Sequence, residues 1–162
     1  MLGNLFGRKN NGGKLTKPYY SIVSVKAGRV IDIAQDGPHR GTAIVYDGYN
    51  GDNQAFSIVP NGASVNIKCR QGKGYLTAES DKDGAKFRLS PQPTAQSAFR
   101  LEDIGGGKYV IYTSCGKVVD LFQGKKDNGT EVIQWTYNGG HSNQHWYLND
   151  PKQITTSSSE RY

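Results

Sequence analysis

One ending recurs three times along this chain: Gln54-Ala55-Phe56, Ser97-Ala98-Phe99 and Gln144-His145-Trp146. The closing aromatics stand 43 and 47 residues apart, a period of about 45. Other parts repeat at fixed offsets ahead of them. Asp32 lies nine residues before Gly41-Thr42, and Asp120 lies nine before Gly129-Thr130. Tyr49-Asn50-Gly51 reads against Tyr137-Asn138-Gly139, and Asn53-Gln54 against Asn143-Gln144. A worn middle copy runs through Gly74-Tyr75-Leu76-Thr77, Gly84-Ala85 and Gln96-Ser97-Ala98-Phe99. Three copies of this length constrain the chain to a repeat architecture before any other reading.

Within each copy the pattern is that of short strands. The first gives Tyr19–Val25, Val30–Ala34, Ala43–Tyr46 and Phe56–Val59. The second gives Val65–Cys69, Tyr75–Thr77, Phe87–Leu89 and Phe99–Glu102. The third gives Tyr109–Thr113, Val118–Leu121, Val132–Trp135 and Trp146–Leu148. Asp36-Gly37-Pro38 is a turn and Asp83-Gly84 a hairpin signal. No helical periodicity of useful length appears, so the expectation is all-β with essentially no helix.

The Gln-x-aromatic endings together with the repeated Asp and Asn-Gln make the chain resemble the ricin B-chain-like (R-type) lectins. The resemblance covers roughly residues 19–150 and is most specific in the third copy. It implies a β-trefoil: three repeats over 18–62, 63–105 and 106–150, forming a six-stranded barrel capped by three hairpins. It leaves 1–17 as a basic arm with little to bury, where Leu2, Leu5 and Phe6 could make a small apolar patch. Residues 151–162 are left as a polar tail. Phe56, Phe99 and Trp146 are then copies of one core position.

Composition fits and excludes. The 21 glycines are well above the roughly 7% of average usage, as tight turns demand. Ten tyrosines, five phenylalanines and two tryptophans supply apolar area that a disordered chain lacks. The net charge of +6 is placed unevenly: residues 1–17 carry +4, residues 151–162 carry +1, and the body is left near +1. A nucleic-acid binder would carry its basic footprint on the folded face, so nucleic acid is not an expected partner. No apolar run reaches the length of a membrane span. Cys69 and Cys115 occupy non-matching positions, so no disulfide is expected, which suits a reducing compartment. Met1–Leu15 is too polar for a signal peptide, and the expected location is cytoplasmic or non-classically secreted.

The candidate site residues follow from chemistry and resemblance together. A lone acid beside a strand accepts hydrogen bonds from sugar hydroxyls, amides donate and accept, and an aromatic covers the apolar C–H face. In the third repeat these are Asp120, Asn143 and Gln144, with Trp135 or Tyr137 as the stacking ring and Asn138 and His141 lining the loop. In the first they are Asp32, Asn50, Asn53 and Gln54, with Asp47 in the stacking position, so Tyr49 would have to stack. The resemblance implies that the Asn contacts sugar while the Gln props the Asp. Acids near glycine also cap turns, and repeats copy scaffolding as readily as sites. The second repeat has Thr77 for the acid and Ser97 for the Gln, so both hydrogen-bonding ends are gone and the copy is structural. The sites rank third, first, second.

The expected function is a non-enzymatic lectin for galactose- or N-acetylgalactosamine-type glycans, with avidity from two sites or from homo-oligomerisation. The second class is an interaction module on the same fold, of the fascin or hisactophilin kind, binding actin or acidic lipid; Gly106-Gly107-Lys108-Tyr109 and Cys115-Gly116-Lys117 have that flavour. An enzyme is the third class, but no Ser/His/Asp set or cysteine nucleophile is evident. His39, His141 and His145 have no metal-like spacing, so neither metal nor cofactor is expected.

Overall fold

The structure, a computed structural model, describes residues 15–153. Twelve strands form, four from each copy. The first copy gives β1 (Ser21–Ser24), β2 (Val30–Ile33), β3 (Ala43–Tyr46) and β4 (Phe56–Asn61). The second gives β5 (Ser64–Cys69), β6 (Tyr75–Ala78), β7 (Phe87–Ser90) and β8 (Arg100–Gly105). The third gives β9 (Lys108–Tyr112), β10 (Val118–Leu121), β11 (Val132–Trp135) and β12 (Trp146–Asn149).

Six of these strands close a ring. Antiparallel ladders join β4 to β5, β8 to β9, β9 to β12 and β12 to β1. The two remaining joins, β1 to β4 and β5 to β8, are the bridges Tyr20–Phe56 and Val65–Phe99. Closure removes the open sheet edge that would otherwise pair with another chain. The hairpins β2–β3, β6–β7 and β10–β11 make up the other half of the molecule. Their second strands touch one another in a triangle, through Thr42–Arg88, Lys86–Ile133 and Ile44–Glu131. A six-stranded barrel with three hairpins is the β-trefoil.

The core is built by the repeat. Phe56, Phe99 and Trp146 are all essentially without exposed surface. Each sits at a ring-closing pair, with Tyr20, Val65 and Tyr109 respectively. Truncating one to alanine costs about 3–5 kcal/mol, the transfer loss plus the cavity left behind. Trp146 brings an N–H into the core, and its Nε1 donates to the Val119 carbonyl at 3.0 Å, so the larger ring leaves no unpaired donor.

The expectation of an all-β chain with essentially no helix holds. No α-helix forms among the described residues, yet single 3-10 turns do, at Asp52–Gln54, Ala95–Ser97, Phe122–Gly124 and Ser142–Gln144. Three residues are too few to leave a periodic signal. Residues flanking 18–150 pack on the fold as well. Leu15 packs against the core, the Lys17 amide donates to the Tyr20 hydroxyl at 2.9 Å, Lys17 pairs with Asp150 at 3.8 Å, and Pro151 is buried. The part of the expected arm before residue 15, with Leu2, Leu5 and Phe6, lies outside the described residues, as does the tail from residue 154. Both cysteines are free; burial pushes the Cys69 thiol up to about 11.

Candidate functional site

Asp32 and Asp120 sit one residue before the end of β2 and β10, opposite Ile44 and Ile133. Each carboxylate is 4% exposed, held among apolar neighbours by a strand that leaves it no freedom to swing into water. A buried charge must find donors or shed its charge. The donors come from the 3-10 turn before the closing aromatic. Asn53 Nδ2 donates to Asp32 Oδ1 at 3.0 Å and Gln54 Nε2 to Asp32 Oδ2 at 2.8 Å. In the third repeat Asn143 Nδ2 donates to Asp120 Oδ1 at 3.0 Å and Gln144 Nε2 to Asp120 Oδ2 at 2.7 Å.

The glutamines fix more than the acid. Gln54 Nε2 also donates to the Asp47 carbonyl at 3.0 Å, and its Oε1 accepts the Tyr49 amide at 2.9 Å. Gln144 repeats the set with the Thr136 carbonyl at 3.0 Å and the Asn138 amide at 2.9 Å. Each buried glutamine thus ties acid, strand end and overlying loop into one frame. The arrangement extends what the resemblance implies: both amides, not the Gln alone, hold the Asp.

These bonds also correct the expected alignment. Val30 pairs with Tyr46 and Val118 with Trp135, so Tyr46, not Asp47, occupies the position of Trp135. The third repeat carries one more residue between the paired Asp120 and Ile133 than the first carries between Asp32 and Ile44. Tyr49 likewise answers Asn138, not Tyr137, because those two amides meet the equivalent Gln oxygens. Asp47 is occupied with Arg29 and Asn128 across to the third repeat. A constant offset hid Tyr46; the matching strand ends Ala-Ile-Val-Tyr and Val-Ile-Gln-Trp are the signal that would have found it.

The aromatic walls differ between the copies. Cross-strand pairing puts Tyr46 with Ile44 and Asp32 on one face, and Trp135 with Ile133 and Asp120 on one face. Tyr46 is 40% and Trp135 44% exposed. In the first repeat Tyr49 folds in beside them, its hydroxyl donating to Asn53 Oδ1 at 3.2 Å. A Cβ on Gly51 would lie 2.4 Å from the Tyr49 ring, so only glycine permits this placement. Asp32, Tyr46, Tyr49 and Asn53 together line a cleft of about 210 Å³. In the third repeat the Tyr137 ring leans on Tyr112 at 6.0 Å, and His141 and Asn138 form the loop edge, the His141 amide donating to Asn138 Oδ1 at 3.1 Å. Asn50 is drawn off to Arg70, which donates to both its oxygens at 3.1 Å, and does not join the Asp32 group.

The second repeat keeps a shortened frame rather than none, which corrects the expectation that both ends are gone. Thr77 takes the acid's place and its hydroxyl meets that of Ser97 at 2.7 Å; Ser97 Oγ also accepts the Thr94 amide at 2.9 Å. Two hydroxyls close the gap that a carboxylate and an amide span elsewhere, and no charge remains.

Burial raises the pKa of Asp32 and of Asp120 above the ordinary carboxylate value, while the Gln and Asn donors partly offset it. An ionised carboxylate offers about four acceptor positions, and the two amides use two. The rest are available to hydroxyl donors, beneath a ring able to cover a C–H face. Among the described residues, no group of three His, Cys, Asp or Glu side chains is placed to hold a metal.

Comparison with known proteins agrees with this geometry. The family model described as ricin-type beta-trefoil lectin domain-like matches residues 6–90, just over half the chain. No curated protein matches the sequence. Among solved structures the chain is similar to ThreeFoil, a designed three-fold symmetric protein, at 30% identity and TM-score 0.75 over 83% of this chain and 99% of that one. It shares its fold with the Rhizoctonia solani agglutinin, at 21% identity and TM-score 0.72 over 85% and 97% of the two chains. The same holds for the Macrolepiota procera ricin B-like lectin, solved with lactose, at 24% identity and TM-score 0.68 over 85% and 99%. The repeated Asp–Asn–Gln frame, the closed barrel and the family match lead to one conclusion: the chain belongs to the ricin-type β-trefoil lectin domain-like family.

Proposed function

We propose that this chain is a non-enzymatic lectin that binds galactose- or N-acetylgalactosamine-type glycans at two sites, one in the first repeat and one in the third. The observation that carries the reading is the Asp–Asn–Gln frame, built twice to the same distances beneath an exposed aromatic ring. A galactoside, lactose, is what the Macrolepiota procera relative was solved with. The expected ranking of third over first rested on Asp47 in the stacking position. With Tyr46 there instead, the first site stands at least level with the third.

Recognition is reversible and shallow. A few hydrogen bonds at about 1 kcal/mol net each, plus one ring contact, give affinities per site on the order of millimolar to high micromolar. The test is calorimetric titration of lactose and N-acetylgalactosamine, with maltose as the control. Two galactoside-selective sites per chain are expected. Equal binding of maltose, or no galactoside binding at about 50 mM sugar, well beyond such affinities, would overturn the reading.

A further inference from the structure

Two clefts meet at the tip of the β2–β3 hairpin. The first is the sugar cleft described above, walled by Asp32, Tyr46, Tyr49 and Asn53 and continuing to Ala34, Gln35 and Asp36. The second, of about 390 Å³, shares Ala34 and Gln35 with it and runs on between the first and second repeats. Its charged lining is Arg40, Lys73 and Arg88, with Gln71 beside them and no acid among its walls. Arg88 is held by Glu79, but Arg40 and Lys73 form no salt bridge with any described carboxylate. The first cleft is acidic and aromatic, and the adjoining one is cationic and large enough for a further sugar unit or an anionic substituent.

We propose that the first-repeat site is a bipartite site for an acidic glycan: a galactose-type ring seats at Asp32 under Tyr46, and a sulfate or carboxylate attached to that ring, or to the next one, lies across Gln35 against Arg40 and Lys73. The proposal rests on the lectin reading and names its ligand class. Two unpaired cations beside a neutral-sugar cleft would otherwise be an ordinary solvated surface. Their placement in a cleft that adjoins that site, with Ala34 and Gln35 lining both, is what distinguishes them. Arg40 offers planar paired donors and Lys73 a mobile point charge, a pairing suited to sulfate or carboxylate oxygens.

The experiment titrates lactose, a sulfated lactose and a sialylated lactose into the full chain and into the double variant Arg40→Gln, Lys73→Gln, at low and high salt. Both residues are on the surface, so the variant should fold as the parent does. At least one anionic lactoside should bind about tenfold tighter than lactose at the first site, a gain expected of two charge-assisted contacts. The double variant should erase that gain and leave lactose affinity unchanged, and salt should shrink it in the parent. A gain for both anions marks a general anion subsite; a gain for one alone names the group. Anionic lactosides no tighter than lactose, or a gain that survives the double variant, would overturn the proposal. Anion binding that depends on Arg40 and Lys73 but keeps its full affinity in Tyr46→Ala would show a separate anion site and also overturn it. If no lactoside binds at all, the lectin reading itself fails.

Discussion

The first and third repeats share a frame and differ in what stands over it. Acid to Asn is 3.0 Å in both, acid to Gln 2.8 and 2.7 Å, and Gln to the strand carbonyl 3.0 Å in both. Above the frame the first repeat places two tyrosines and a glycine, and spends the Asn53 oxygen on the Tyr49 hydroxyl. The third places Trp135 on the acid's face and sends Tyr137 to Tyr112. The frame is buried and tolerates no change without losing paired groups. The walls are exposed and can vary at little cost to the fold. The proposed function therefore places stability and sugar choice in different layers of the same site.

The largest effect should come from breaking the frame. Asp32→Ala or Asp120→Ala leaves a buried Gln without its acceptor, together with an Asn that is buried in the first repeat and half-buried in the third, a loss of about 1–3 kcal/mol in stability. Each should remove galactoside binding at its own repeat and leave the other intact, read as stoichiometry falling by one in calorimetry and a lower midpoint in urea. Breaking the walls should separate the two layers. Tyr46→Ala and Trp135→Ala should each weaken their own site by about threefold to tenfold, from a ring contact of roughly 0.5–1.5 kcal/mol, with the urea midpoint unchanged. A drop in stability comparable to that of the Asp variants would show that the walls are scaffold as well.

Protonation acts on the two layers with opposite sign. Burial raises the folded pKa of Asp32 and Asp120 above the unfolded value of about 3.9, so the native state holds their protons to higher pH. Their contribution to stability is full below the unfolded value and is lost as pH rises through the folded one. The proposed sugar binding uses the ionised acceptor, so affinity should fall on acidification, beginning above the pH at which an ordinary aspartate titrates. Lactose titrations and urea midpoints over the same acidic range, compared with Asp120→Asn, test both signs together. The smallest change sharpens the comparison directly. Tyr49→Phe keeps the ring and releases Asn53 Oδ1, and it should tighten the first site by a few-fold at most, from one hydrogen bond of about 1 kcal/mol.

The fold was legible because its signal is redundant. Period, strand patterns and closing aromatics each report the same three-part barrel, and Phe56, Phe99 and Trp146 needed no geometry to be placed in the core. The acids and amides were legible for the same reason. What sequence did not reveal lies where the copies differ by one residue. The third repeat has one residue more between Asp120 and its partner Ile133 than the first has between Asp32 and Ile44, so at a constant offset Tyr46 was set against the wrong partner and Asp47 was given a stacking position. The Thr77–Ser97 bond was missed because two short hydroxyls look like a deletion of function, when in space they replace the carboxylate–amide pair. The cationic cleft was invisible because Arg40 comes from the first repeat and Lys73 and Arg88 from the second, and only the fold brings the β2–β3 turn, the β5–β6 connection and β7 together.

On the proposed reading, one frame used twice makes two galactoside sites and the shortened copy makes none. Amide chemical-shift mapping during a lactose titration tests it most directly. Shifts should cluster around Asp32, Tyr46, Tyr49 and Asn53, and separately around Asp120, Trp135, Asn138 and Asn143, with Thr77 and Ser97 silent. Shifts confined to one repeat, or centred on Thr77 and Ser97, would contradict it.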